Sequence, residues 1–336
     1  MGKPDKIIVI GASAGGYHAM AEVAAVIPED LNIAVFAVLH MAKTSSGEIV
    51  VQHLQKKTGL ICRLATDNLK IESGHLYLAP PDHHLMVKNG VMRVHNGPRE
   101  NRWRPSIDVL FRSAAASYDS HVTGIILSGM MDDGTSGMSA IKRSGGTCIV
   151  QEPEEALYPE MPRNVLNTVN VDYQVPLSDI GYILRDNLTK PATASLPIPD
   201  DVRIEAEITE KMVSGMEELQ KIGTRSNFSC PDCGGGLWKI SHDGVHRYRC
   251  YTGHVYTENI LNEKQHEGFE SSLWVSIRML EERRNLLNTI ALHEREAGRI
   301  TESETAKERS AEMDIHIERL KSVLYALGKP SNGEII

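Results

Sequence analysis

Ser13 lies in Gly11-Ala12-Ser13-Ala14-Gly15, a G-x-S-x-G run that follows the apolar residues Ile7 to Ile10 and precedes a helix-like stretch from Tyr17 to Val26. Small neighbours let the backbone turn sharply and lift a hydroxyl clear of a strand end, the setting of a nucleophilic serine. Such a hydroxyl needs a base. His40 closes a second apolar run, Ile33 to Leu39. Asp132 and Asp133 follow a third run, Val122 to Leu127, within GIILSGMMDDGTSG (residues 124–137). A carboxylate there can accept the Nδ1–H of His40, fix its tautomer and stabilise the imidazolium. The residue types of acyl transfer thus stand at three strand ends, in the chain order Ser, His, Asp. The plainer readings are a glycine turn, a polar strand end, and aspartates that cap a helix before Gly134. Dinucleotide binding is disfavoured, because the spacing is G-x-x-x-G-G and the second strand ends without a carboxylate. No Gly-Lys-Ser/Thr follows, which removes a P-loop.

A second cluster, Cys230, Cys233, Cys250 and His254, has the spacing C-x2-C-x16-C-x3-H. Two knuckles of this kind place four ligands tetrahedrally, so the expectation is a structural zinc ribbon with no open position for catalysis. The alternative is a small metal-free β unit with reduced thiols. Cys62 and Cys148 read as core thiols.

These residues need a scaffold that brings strand ends together. Near-continuous apolar strands alternating with helices predict an α/β fold, a doubly wound and mostly parallel sheet. Asn89-Gly90 between two alternating runs predicts an antiparallel hairpin. The proline-rich segment KPATASLPIPDD, residues 190–201, reads as a linker. The expected organisation is therefore a catalytic domain over 1–189, a helix plus zinc-ribbon-like Cys-rich unit over 202–256, and an α-helical hairpin over 257–336. In that last segment Leu273, Ile277, Leu280, Leu287 and Ala291 recur at helical spacing, as do Met313, Ile317, Leu320, Val323 and Leu327, with a break near Gly298. It carries 15 acidic and 11 basic residues, a net of −4, and reads as a packed helix pair, with partner docking or self-association as its other role.

Bulk properties narrow the function. Among 336 residues, 41% are hydrophobic and 24% charged, and the formal net charge is −8, which argues against nucleic-acid binding. No apolar run is long enough to insert in a membrane, and the N-terminus carries no signal-peptide pattern, so a cytoplasmic location is expected.

IGASAGG, the histidine of VLHM, LYLAPPDHHL, NRWRPSIDVLFRSAA, IILSGMMDDGTSG and the MP of YPEMPRNV occur in the order found in the CheB family of chemotaxis protein-glutamate methylesterases, whose catalytic domain residues 1–185 resemble. The resemblance implies Ser13 as nucleophile, His40 as base, Asp133 as its partner and the Met130 backbone N–H as an oxyanion donor. It implies hydrolysis of glutamyl methyl esters on chemoreceptor-type signalling proteins, with deamidation of glutamine as a related reaction and no cofactor. Trp103 stands where NRHRPS has histidine, which bears on substrate contacts beside Arg102 and Arg104, and Ala14 replaces a common threonine. With the catalytic domain at the start of the sequence, the expectation is a protein without a receiver domain, regulated from elsewhere. The rival class is a non-catalytic regulatory module that uses the same fold to bind a partner.

Overall fold

The computed structural model describes residues 2–190, 197–213 and 215–327. In chain order, the first part comprises β1 (Lys6–Ala12), α1 (Gly16–Val26), β2 (Ile33–Leu39), α2 (Gly47–Gln55), β3 (Ile61–Leu64), β4 (His75–Leu78), β5 (His84–Lys88), β6 (Val91–His95), α3 (Ile107–Tyr118), β7 (Val122–Ile126), α4 (Thr135–Arg143), β8 (Thr147–Gln151), α5 (Glu160–Thr168), β9 (Tyr173–Val175) and α6 (Leu177–Thr189). Seven strands form one parallel sheet in the order β3-β4-β2-β1-β7-β8-β9. Alternate residues of β1 serve opposite layers. Ile8 and Ile10 pack with residues of α1, α2 and α6, while Ile7 and Val9 pack with residues of α3, α4, α5 and the β5–β6 hairpin. Both faces are covered, which is why the central strands are apolar throughout.

Strands β5 and β6 pair antiparallel as the Asn89-Gly90 signal predicts, with both turn residues at positive φ (49° and 80°). The edge strands β3 and β9 have no counterpart in the sequence reading, because four and three residues of mixed character carry no periodicity to detect. Cys62 and Cys148 are buried free thiols, as expected, and burial pushes both toward the uncharged form, that of Cys62 up to about 11.

After the sheet come α7 (Asp200–Lys211), α8 (Met216–Ile222), and an antiparallel sheet of β10 (Thr224–Ser229), β11 (Gly236–Ile240), β12 (Arg247–Cys250) and β13 (Val255–Thr257). Residues 191–196 of the expected linker lie outside the described residues, and its last two, Asp200 and Asp201, lie in α7. The Cys-rich sheet and the α/β unit lie together in one compact body, residues 1–260.

Buried charge explains that union. Glu100, ahead of α3, accepts from Arg112 (3.2 Å) and from Arg249 of β12 (2.6 Å). Glu205 of α7 accepts from both Nη groups of Arg247 (2.7 and 3.0 Å) and lies 3.2 to 3.5 Å from Arg249 and Arg112. Arg247 also reaches Asp243 (2.6 Å), whose carboxylate accepts from Ser136 Oγ of α4. Three guanidiniums meet three carboxylates, none more than 4% exposed. Burial alone would raise the carboxyl pKa values, but the arginines hold Glu100 down at about 2 and Glu205 lower still.

The second compact body, residues 261–336, contains most of α9 (Glu258–Glu296) and all of α10 (Ile300–Leu327). Gly298, at φ 76°, separates them. Ser303 Oγ donates to Ala291 O (2.6 Å) and Arg284 pairs with Asp314 (2.9 Å), pairings that run in opposite directions and define an antiparallel hairpin. Leu273, Ile277, Ala291 and Ile317 of the predicted stripes are buried. No helix among the described residues is long and apolar enough to cross a membrane.

Candidate active site

The strand order places the candidate residues at the switch point of the sheet. From β1 the chain builds outward through β2 on one side and returns through β7 on the other, opening a crevice beyond the carboxyl ends of these three strands. Hydrogen bonds continue the ladder to its last residues: His40 N–H to Ala12 O, Leu127 N–H to Gly11 O and Ser13 N–H to Ser128 O, each 3.0 Å. Ser13 therefore leaves β1 beside His40. Gly15 takes the turn at φ 69°, and a Cβ on Gly16 would lie 2.6 Å from that of Ala12, so glycine is needed where α1 approaches the strand end.

Ser13 Oγ lies 3.1 Å from His40 Nδ1, and His40 Nε2 lies 2.9 Å from Asp133 Oδ2. Ser13 is 8% exposed, and the His40 and Asp133 side chains 1% each. The three groups named from the sequence are brought together, but the ring nitrogens are exchanged relative to the sequence expectation. Nδ1 sits next to Cβ and meets the serine on the neighbouring strand, while the distal Nε2 reaches the carboxylate beyond β7. Nε2–H donates to Asp133, which leaves the Nδ1 lone pair facing the hydroxyl.

Asp133 is also the N-terminal anion of α3. Its carboxylate accepts from Ile107 N–H (2.7 Å), Asp108 N–H (3.3 Å), Ser106 Oγ (2.9 Å) and Asn101 Nδ2 (3.4 Å). Burial would push its pKa up, but His40 and these donors outweigh it and the net shift is downward. Asp108 reciprocates at the start of α4, accepting from Gly134 N–H (3.0 Å) and Gly137 N–H (2.7 Å). Burial and the nearby Asp133 push the Asp108 carboxyl well up. No hydrogen bond joins Asp132 to His40 among the described residues, and burial raises its carboxyl to about 6 despite the nearby Thr257 of β13.

Met130 follows Gly129, where an added Cβ would come 2.9 Å from that of Ser13, so this loop lies against the serine. The Met130 N–H makes no hydrogen bond among the described residues. Arg104, expected beside the substrate, is held within the loop. Its Nε and Nη2 donate to Asp82 (3.0 and 2.7 Å) and its Nη1 to Asn96 O and Gly97 O (2.8 and 2.9 Å), which makes it a loop strut. Arg102 is half-buried in the adjacent turn, at φ 70°. Sequence reading missed Asn101, Ser106 and Asp108, whose only local signal is short polar residues flanking a helix start.

His84, wholly buried beneath this loop, has Nε2 2.8 Å from Pro98 O, and its Nδ1 accepts from Ser106 N–H (3.2 Å), so both nitrogens are satisfied by the neutral ring. Burial lowers its pKa from 6.5 to about 4. The unfolded imidazole takes a proton below about 6.5 and the folded one does not, so this contribution to stability is complete above 6.5 and is lost as pH falls toward about 4. The loss amounts to about 3 kcal/mol at most. Melting temperatures across that window should fall steeply in the wild type and more shallowly in a His84→Asn protein; equal slopes would reject the assignment.

The cysteine cluster is assembled as the spacing predicts. Ligand atoms of Cys230, Cys233, Cys250 and His254 all lie within 4.8 Å of one another. Cys233 Sγ is 3.7 Å from Cys250 Sγ, and His254 Nδ1 is 3.7 and 3.5 Å from the sulfurs of Cys230 and Cys250. Sulfurs about 2.3 Å from a shared tetrahedral centre stand about 3.8 Å apart, and a sulfur and an imidazole nitrogen about 3.6 Å, so the set fits zinc.

Comparison with known proteins bears on the α/β unit. The sequence family described as CheB methylesterase matches residues 8–184. A Leptospira interrogans protein, provisionally named a protein-glutamate methylesterase/protein-glutamine glutaminase, is 38% identical over 177 residues, 52% of this chain and 91% of its own length. The Salmonella typhimurium protein-glutamate methylesterase/protein-glutamine glutaminase is 34% identical over 181 residues, and the chain spans about half of it (51%). The crystal structure of the Thermotoga maritima CheB methylesterase catalytic domain superposes with a TM-score of 0.51 at 30% identity, covering 54% of this chain and 98% of that one.

Proposed function

This chain belongs to the CheB methylesterase family, and from that premise we propose that it is a serine esterase that hydrolyses glutamyl methyl esters on chemoreceptor-type signalling proteins. The observation that carries the reading is the buried chain of contacts from Ser13 through His40 to Asp133 at the switch point of the sheet. Ser13 Oγ attacks the ester carbonyl while His40 Nδ1 takes its proton. The carbon–methoxy bond then breaks, and methanol leaves with that proton. Water attacks the acyl-enzyme with His40 again as base, freeing the glutamate carboxylate and restoring the hydroxyl. Asp133 holds the ring through Nε2 and stabilises its charged form. The Met130 N–H is the proposed oxyanion donor, a role typically worth about 3 kcal/mol. Glutamine deamidation follows the same course with ammonia as leaving group. Methanol release from a methylated receptor fragment, dependent on Ser13, tests the assignment; release unaffected by loss of the hydroxyl would reject it.

We further propose that Cys230, Cys233, Cys250 and His254 hold a structural zinc, whose four protein ligands leave no position for a substrate. Protein purified without chelator should contain about one equivalent of zinc by metal analysis, lost along with thermal stability in a Cys230→Ser/Cys233→Ser variant. A folded sample without metal would overturn the assignment.

A further inference from the structure

We propose that Trp103 is a positioning residue of the acyl-transfer site: its indole, stacked on the imidazole of His40, fixes the ring plane shared by Ser13 and Asp133 and stabilises the imidazolium formed when the base takes the serine proton. The proposal rests on the reading of Ser13 and His40 as nucleophile and base. The ring centroids are 4.0 Å apart with 8° between the planes. Other parallel ring pairs among the described residues lie at 5.4 to 6.5 Å, so this stack is much the closest.

The turn that presents Trp103 is held from several sides. Glu100 and Trp103 pair across it, Trp103 N–H to Glu100 O at 2.9 Å and Glu100 N–H to Trp103 O at 3.3 Å. The two residues between them, Asn101 and Arg102, both lie at positive φ (51° and 70°). Asparagine tolerates this conformation; arginine seldom adopts it, and it persists where the surroundings over-determine the backbone. Here they do. Asn101 N–H donates to Val255 O of β13 (2.9 Å), its amide reaches Asp108 and Asp133, and the Glu100 carboxylate is clamped by Arg112 and Arg249. The turn is thus anchored to the same aspartate that holds the far nitrogen of His40, and it places an aromatic face on the one ring that must gain and lose charge.

A flat π face does two things that an aliphatic cover does not. It holds the imidazole plane, keeping both nitrogens directed at their partners, and its quadrupole attracts the ring once it is cationic. Loss of that attraction weakens the hold of the base on its proton. The acidic limb of the rate profile should therefore move to lower pH, whereas mere admission of water would favour the charged ring and move it the other way.

The test uses the full chain and diisopropyl fluorophosphate. In this reaction Ser13 Oγ bonds to phosphorus, fluoride departs and His40 takes the hydroxyl proton, so only the nucleophile and base are probed. The rate of adduct formation, read by intact mass, should be about tenfold lower in Trp103→Leu, the rate equivalent of about 1.4 kcal/mol, with the acidic limb moved to lower pH. Trp103→Phe, which keeps a stacking face, should stay within about twofold of wild type. Trp103→Met repeats the aliphatic arm if the leucine variant does not fold. Equal rates in wild type and leucine variant, or equal losses in the phenylalanine and leucine variants, would overturn the proposal. A wild type that gives no Ser13 adduct would overturn it together with the esterase reading. If adduct rates keep the predicted order while methylated receptor yields no methanol, the glutamyl-ester reading fails and the role of Trp103 stands.

Discussion

Methanol release from methylated receptor is expected to fall by about 10³-fold or more in Ser13→Ala, with the thermal midpoint almost unchanged. Both halves follow from the site. In the proposed mechanism the hydroxyl is the atom that bonds to substrate, so its loss would remove the acyl-enzyme route entirely and leave binding and oxyanion stabilisation. Removing one oxygen from a small side chain whose Oγ hydrogen-bonds His40 leaves the β1–β2 ladder and the glycine turn intact. His40→Ala should cost as much, and the double variant no more than either single one, because residues that act as a unit are not additive. Asp133 is a poorer probe, since its carboxylate also accepts from Ser106, Ile107 and Asp108 at the start of α3, and truncation would disturb the fold as well as the base. A Ser13→Ala enzyme with most of its activity would end the covalent mechanism, whatever the family.

The largest stability loss is expected from Glu205→Ala. Its carboxylate faces Arg112, Arg247 and Arg249, all nearly inaccessible to water. Removing it leaves three guanidiniums with two carboxylates, Glu100 and Asp243, in a site too buried to hydrate the excess charge. Breaking a buried pair in this way costs about 3–5 kcal/mol, far more than the net worth of the intact pair, because an uncompensated charge remains. Urea denaturation should show a midpoint reduced accordingly. Asp30→Ala, which breaks the solvent-exposed pair with Arg185, should leave the midpoint unchanged. A Glu205→Ala protein as stable as wild type would mean that water reaches the network. Since Glu205 lies on α7, Arg247 and Arg249 on β12 and Glu100 next to the Trp103 turn, the same variant should also loosen the Cys-rich sheet from the α/β unit.

The sequence by itself determined the parts of this protein that obey a short-range rule. Apolar runs broken by glycine turns specify parallel strands and put chemistry at their carboxyl ends, so Ser13, His40 and the Asp132-Asp133 pair were legible there. Asn89-Gly90 specified its hairpin, the cysteine spacing the cluster of Cys230, Cys233, Cys250 and His254, and the 3–4 repeat around Gly298 the two long helices. Tertiary structure alone decided which nitrogen of His40 meets Ser13, that Asp133 also caps α3, and that Arg104 braces a loop. It also decided that the Cys-rich sheet belongs to the α/β body, through bonds such as Glu100 to Arg249, 149 residues apart. Such contacts leave no periodic trace, and a glutamate or arginine reads as a surface residue until a partner from a distant segment neutralises it. Local patterning records how a segment folds onto its neighbours; the pairing of buried charges records only where the finished chain brings them.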